Sequence, residues 1–216
     1  MEKLGITVVR LGYMWSGVNP ADGVFNATYV AKVKTIVQRF AERGIYTLLD
    51  MHEDGLSSKF CLYDGAPLWV INKSTPKHAF PWPLKGTDCS RPWGENLLSE
   101  AAATAYQDLY DNKGGMMDDL GKFWAYSAAQ FKGNSNVIGY EIINEPFAGN
   151  FYENPTLLLP GQAGKLNLER MYDAVRRRGR GEKRREEEGE KERGEKRREE
   201  ERSDIGVVYR ALSFVT

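Results

Sequence analysis

The 216-residue sequence is short of most features that would place it in a special class. It holds two cysteines, Cys61 and Cys89, too few for a disulfide scaffold and enough for one bridge. No apolar run reaches the roughly 18 residues of a membrane-spanning helix, so no transmembrane segment is expected. Met1-Glu-Lys-Leu has no signal-peptide apolar region behind it, and the chain enters a strand almost at once. Either the protein is intracellular or this N-terminus is not the natural one. Thirty basic and thirty acidic residues cancel to zero net charge, which gives no reason to expect nucleic acid or an anionic membrane as partner.

What is present is enough for a packed core. Hydrophobic residues make up 41% and aromatic residues 12% of a chain long enough for one sizeable domain or two small ones. Sequons at Asn26-Ala-Thr and Asn72-Lys-Ser would permit N-glycosylation in a secreted protein, although such triplets often arise by chance. The zero charge hides a division. Residues 176–202 are all Arg, Lys, Glu or Gly, whereas residues 1–175 have an ordinary globular composition.

Residues 6–11, Ile-Thr-Val-Val-Arg-Leu, form a short β-branched run without clean alternation, the pattern of a buried parallel strand. Asn26 or Thr28 is placed to cap a helix in which Tyr29, Val33, Ile36, Val37 and Phe40 recur every three or four residues, and Gly44 ends it. Residues 45–50 read as a second buried strand, finishing in Met51-His-Glu-Asp54. Residues 55–96 have little periodicity and hold Trp69, Trp82, Trp93 and five prolines. A stretch that long without pattern is functional or disordered, and its aromatic content opposes disorder. Helical patterning returns over 98–131, broken near Gly114-Gly115. Residues 137–143 form the third strand, and 166–175 the start of another helix. Strands alternating with helix-length connections imply βαβ units and a parallel sheet.

Each polar cluster falls at the C-terminal end of a strand: Arg10, then His52 and Asp54, then Asn144 and Glu145. That edge carries the active site in α/β barrels and in open α/β sheets. A carboxylate at a strand end beside an amide fits glycoside hydrolysis, in which retaining enzymes hold two carboxyl groups roughly 5–5.5 Å apart. Aromatic rings above such a site suit the apolar faces of sugars. Blander readings stand beside this one. Asn-Glu-Pro is commonly a strand-to-turn exit, His52 a hydrogen-bonded structural histidine, Arg10 the partner of Glu145 or Asp54, and the tryptophans core. His52-Glu-Asp matches no standard zinc spacing, so neither metal nor cofactor is expected.

Five motifs in order, "VVRLGYMWSGVNP", "GIYTLLDMHED", "FCLYDGAPLW", "FPWPL" and "VIGYEIINEPFAG", resemble glycoside hydrolase family 5, specifically its endoglycoceramidase-like branch, over residues 4–175. The resemblance implies a (β/α)8 barrel that cleaves the bond between glycan and ceramide in glycosphingolipids, with retention, through two glutamates. It matches Glu145 to the general acid/base and Asn144 to the amide that binds the sugar 2-hydroxyl. Arg10 corresponds to the arginine that supports the nucleophile, and His52 and Asp54 to a polar pair lining the substrate subsite. Trp93 corresponds to a stacking tryptophan, and Cys61 and Cys89 to a bridge across the aromatic loop. The family commonly has Gln where this chain has Glu53, a mild change.

The three visible strands resemble the second to fourth of the barrel, so the resemblance implies a partial barrel and an inactive fragment. No counterpart of the nucleophile follows residue 175. It further implies a secreted or lysosomal parent. Another family 5 glycosidase, such as a β-glucanase or glucocerebrosidase-like enzyme, and a non-catalytic glycan- or lipid-binding remnant remain open.

The charged run contains "GEKRREEE" twice, starting at Gly181 and Gly194. As a solvated helix it would gain about 0.2–0.5 kcal/mol from each i,i+4 pair. Each of its four glycines would cost about 1 kcal/mol relative to alanine, which leaves the helix marginal. Apolar heptad positions are absent, which excludes a coiled coil. Its four residue types are those that purine-only codons encode, so the run reads as a translated purine-rich repeat, with residues 203–216 an incidental tail of no assigned role.

Overall fold

The computed structural model describes residues 2–62, 64–86 and 89–179. Of the charged run 176–202, residues 176–179 are described, whereas residues 180–202 and the 203–216 tail lie outside the described residues.

Three strands, β1 (Val8–Gly12), β2 (Tyr46–Asp50) and β3 (Val137–Glu141), form one parallel sheet in the order β1-β2-β3. The third ends two residues earlier than its apolar pattern suggests. Ile142 and Ile143 are buried but have left the ladder, because burial of a side chain does not require a strand partner for its backbone.

The helices are α1 (Trp15–Val18), α2 (Ala27–Ala41), α3 (Leu68–Ile71), α4 (Trp93–Asn96), α5 (Glu100–Tyr110), α6 (Met116–Phe131) and α7 (Glu169–Gly179). Asn26, and not Thr28, caps α2, accepting from Tyr29 N at 3.0 Å. Val30, Val33 and Val37 give α2 its buried stripe. The break near Gly114-Gly115 is real, with φ of 55° and 79°, values that glycine adopts without the clash a Cβ would bring. Across that break, α6 turns Leu120, Phe123, Trp124 and Phe131 into the core.

Register decides what each face of the sheet does. Leu11, Leu49 and Tyr140 form one cross-strand row, and all three belong to the core or pack against it. The alternate rows face the other way: Val8 beside Tyr46, then Arg10, Leu48 and Gly139, then Gly12, Asp50 and Glu141. This second face is apolar at its N-terminal end, where Val8 and Tyr46 are each 46% exposed, and charged at its C-terminal end.

The segment that lacks periodicity is ordered by other means. It wraps α5, a helix buried on nearly every side. The α5 carboxylates replace the backbone partners that secondary structure would have supplied. Glu100 accepts from Lys77 N and His78 N, at 3.2 and 3.0 Å, and Asp108 from Ser74 Oγ and Thr75 N, at 2.7 and 3.3 Å. Cys61 is bonded to Cys89 across a separation of 28 residues. By the chain-entropy account, closing such a loop is worth about 3–4 kcal/mol.

Candidate active site

Arg10 is the third residue of β1, not its end, and its long side chain reaches the C-terminal edge. It donates Nε to Glu141 at 2.6 Å and a terminal nitrogen to the same carboxylate at 3.0 Å, a bidentate pairing that fixes the guanidinium plane. It donates to Asn144 Oδ1 at 2.5 Å and stands 3.0 Å from Asp50. Arg10 thus pairs with Glu141 and Asp50, and the sequence alternatives of Glu145 or Asp54 are incorrect. The cause is the pleat: positions 10, 50 and 141 share one face, and the exit turns carry residues 54 and 145 past it.

Asp50 is buried, and burial raises its carboxyl to about 6 despite Arg10 and His52. His52 Nδ1 lies 2.7 Å from Asp50 Oδ2, which makes Nδ1 the protonated nitrogen and leaves Nε2 facing Asp54 at 3.6 Å. His52 and Asp54 are therefore neighbours, as expected. Asp64, which the sequence reading did not single out, joins them. Ligand atoms of His52, Asp54 and Asp64 lie within 4.8 Å of one another and could hold a cation, a grouping that adjacent-residue spacing could not reveal. Glu53 takes no part in it, because its carboxyl points into the core to Tyr106.

Asn144 is buried with both ends of its amide engaged. Its oxygen accepts from Arg10 and its nitrogen donates to the carbonyl of Glu53 at 2.6 Å. These two partners settle the amide orientation and leave one N–H for a ligand. Glu145 is exposed, four residues beyond β3, at φ 37°. Left-handed backbone at a non-glycine residue costs about 1–3 kcal/mol, and such residues cluster at functional sites. Among the described residues no hydrogen bond or ion pair holds its side chain, although its charge is felt at Arg10. Trp93 opens α4, and its side chain lies outside the described residues.

The residues missed in the sequence were Asp50, Glu141, Asp64 and Tyr106. Period-two spacing in the strands could have found the first two, since both end a strand on the Arg10 face. Nothing local marks Tyr106, which meets Glu53 only through the fold.

A family model described as cellulase, glycosyl hydrolase family 5, matches residues 1–181. An endoglycoceramidase of Hydra vulgaris is 42% identical over 193 residues, covering 82% of this chain and 37% of that protein. An endoglycoceramidase of Cyanea nozakii is 41% identical over 189 residues, covering 81% and 37%. The chain therefore spans little more than a third of these relatives. Among solved structures, endo-glycoceramidase II from Rhodococcus sp., captured as a lactosyl-enzyme intermediate, superposes with a TM-score of 0.61 at 26% identity, over 80% of this chain and 39% of that one. An endogalactoceramidase crystal structure gives 0.61 at 31% identity, over 84% and 40%. The three-stranded parallel sheet and its helices are part of a (β/α)8 barrel, and the chain belongs to glycosyl hydrolase family 5.

Proposed function

We propose that this chain carries the acid/base side of a retaining, endoglycoceramidase-like active site, with Glu145 as general acid/base and a glycosphingolipid as the parent's substrate. The observation that carries the reading is convergence. Arg10, His52, Asn144 and the exposed Glu145 meet at one edge of three consecutive strands. In this reading protonated Glu145 gives its proton to the oxygen joining sugar to ceramide as that bond breaks, and ceramide leaves as a neutral alcohol. A second carboxylate takes the anomeric carbon. Glu145, now anionic, removes a proton from the water that releases the sugar with its configuration retained. The free N–H of Asn144 faces the 2-hydroxyl, His52 and Asp54 take further hydroxyls, and Trp93 supplies a stacking ring.

The second carboxylate belongs to a part of the barrel outside this sequence, so the 216-residue chain binds without turnover. Residues 176–202 are a translated repeat in this reading, and the globular unit ends near residue 175. The Cys61–Cys89 bond supports a secreted or lysosomal parent. Incubating the purified chain with fluorescent lactosylceramide and with free cello-oligosaccharides tests these points. Retention of the lipid-linked sugar without hydrolysis is expected. Hydrolysis would overturn the inactivity, and preference for the free glycan would favour a β-glucanase parent. Binding that depends on Glu145 neither for affinity nor, in a longer transcript product, for turnover would favour a non-catalytic remnant.

A further inference from the structure

Two side-chain amides meet behind the loop that carries Glu145. Gln107 comes from α5, and Asn167, which is fully buried, comes from a π-helical turn, Gly164–Leu168, that runs into α7. They face each other as a reciprocal pair. Gln107 Nε2 donates to Asn167 Oδ1 at 3.2 Å, and Asn167 Nδ2 donates to Gln107 Oε1 at 3.1 Å. The pair also takes hold of the main chain: Asn167 Nδ2 donates to the carbonyl of Ala148 at 2.8 Å, and Gln107 Oε1 accepts from the N–H of Asn150 at 3.3 Å. A residue of a parallel strand engages its neighbour in that pattern, bonding the carbonyl before and the N–H after one facing residue. The outer atoms are occupied as well. Gln107 Nε2 donates to Asp111 Oδ2 at 3.0 Å, and Asn167 Oδ1 accepts from Arg170 at 3.1 Å. Each amide thus makes all four hydrogen bonds open to it, and turning either one over would set oxygen against oxygen and nitrogen against nitrogen.

We propose that Gln107 and Asn167 are positioning residues for Glu145: acting together as a one-residue strand partner for residues 148–150, they hold the loop on α5 and keep Glu145 on its left-handed backbone. That Glu145 is the acid/base rests on the reading given under Proposed function, whereas the anchoring of its loop does not. Two anchors leave little chain between them. Upstream, the main-chain N–H of Asn144 donates to Met51 O at 3.0 Å, and its side chain is held by Arg10 and the Glu53 carbonyl. Downstream, Tyr110 Oη donates to Phe147 O at 2.6 Å, and the amide pair takes residues 148 and 150. Only Glu145 and Pro146 lie between the anchors. A residue before proline favours extended backbone, and the proline φ is itself fixed, so Glu145 stays at φ 37° because the flanking bonds hold it there. With no bond to its side chain among the described residues, that backbone torsion decides where the carboxyl emerges. Gly149 shows how closely the pair approaches. It sits at φ 108°, and a Cβ added there would overlap Gln107 Oε1 and Asn167 Nδ2. Those side-chain ends could swing aside only by giving up their bonds to residues 148 and 150.

Nuclear magnetic resonance of the full chain tests this. In the natural chain the Asn150 N–H and the side-chain amide hydrogens of Gln107 and Asn167 should exchange with solvent roughly a hundredfold or more slowly than in an unstructured peptide. The backbone carbon shifts of Glu145 should report a left-handed torsion. Asn167→Asp keeps the side-chain shape but sets an oxygen against the Ala148 carbonyl, and Gly149→Ala presses on the pair from the opposite side. In both, the Glu145 shifts are expected to move toward extended values. Asp111→Ala removes an outer partner of the pair without touching residues 148–150. It should lower the unfolding midpoint and leave the Glu145 signals in place, which a role confined to joining α5 to α7 would not distinguish from Asn167→Asp. With lactosylceramide micelles as probe, roughly tenfold weaker binding is expected for Asn167→Asp and a change within about twofold for Asp111→Ala. Unprotected exchange in the natural chain would overturn the proposal, and that measurement decides it even where a variant does not fold. Glu145 shifts that stay unchanged in folded Asn167→Asp and Gly149→Ala, or that move equally in Asp111→Ala, would overturn it too. Absence of binding by the natural chain would overturn the glycosidase reading, and the resonance results would still decide the anchor.

Discussion

The two faces of the three-stranded sheet are built from the same strands and differ in almost every other respect. On one face Leu11, Leu49 and Tyr140 lie under helices, and the core there runs on through Phe123 and Trp124. On the other face Val8 and Tyr46 stand half exposed, and beyond them Arg10, Asp50 and Glu141 form an ion network. The first face is complete within the described residues. The second is finished only at its charged end, where the partners come from neighbouring strands rather than from a covering layer. A parallel strand ordinarily has both faces buried. Among the described residues the bare Val8–Tyr46 row and the outer edges of β1 and β3 have no cover or strand partner, as expected of an arc of a barrel, and an open parallel edge favours aggregation.

Stability should follow the same division. Leu49→Ala, on the covered face, is expected to cost about 2–5 kcal/mol in chemical denaturation, because it removes a fully buried side chain from a packed core. A loss comparable to that of a surface residue would mean that the helix-covered core is not formed. Arg10→Met comes next, at about 1–3 kcal/mol, less than a fully buried pair because the arginine is part exposed. It strips the guanidinium from a buried Asp50 and from Glu141. Its loss should also grow as pH rises through about 6, where Asp50 ionises with no cation beside it, and a pH-independent loss would mean that Arg10 acts only through packing. Smallest are Val8→Thr and Tyr46→Thr, each expected within about 0.5 kcal/mol. Light scattering should show them improving solubility. A large destabilisation from either would mean that the apolar row is already covered in solution.

Much of the scaffold was legible locally. The β-branched runs of β1 and β2, the capping Asn26 and the glycine break before α6 each rest on periods or torsional preferences that a few consecutive residues express. The strand-end clusters were legible for the same reason, since a strand that stops at Asn144-Glu145 announces where its polar residues emerge. The pairing of Arg10 was not. Three partners, Asp50, Glu141 and Asn144, lie 40 to 134 positions away; only register puts Asp50 and Glu141 on the Arg10 face, and the turn after β3 brings Asn144 to it. Residues 55–96 show the opposite failure. Their order comes from carboxylates of α5 and a disulfide, which leave no periodic trace.

The sequence by itself determined the strand–helix alternation, the family to which its motifs belong, and the residue types presented at the sheet edge. These are properties of short segments, set by backbone torsion, side-chain period and local capping. Only the tertiary structure decided which charges neutralise one another, that the Glu53 side chain turns inward to Tyr106 while His52 and Asp54 stay at the edge, and that Glu145 is left exposed on strained backbone. Those outcomes depend on which groups lose water together. Desolvation is a property of packed surroundings and not of sequence neighbours.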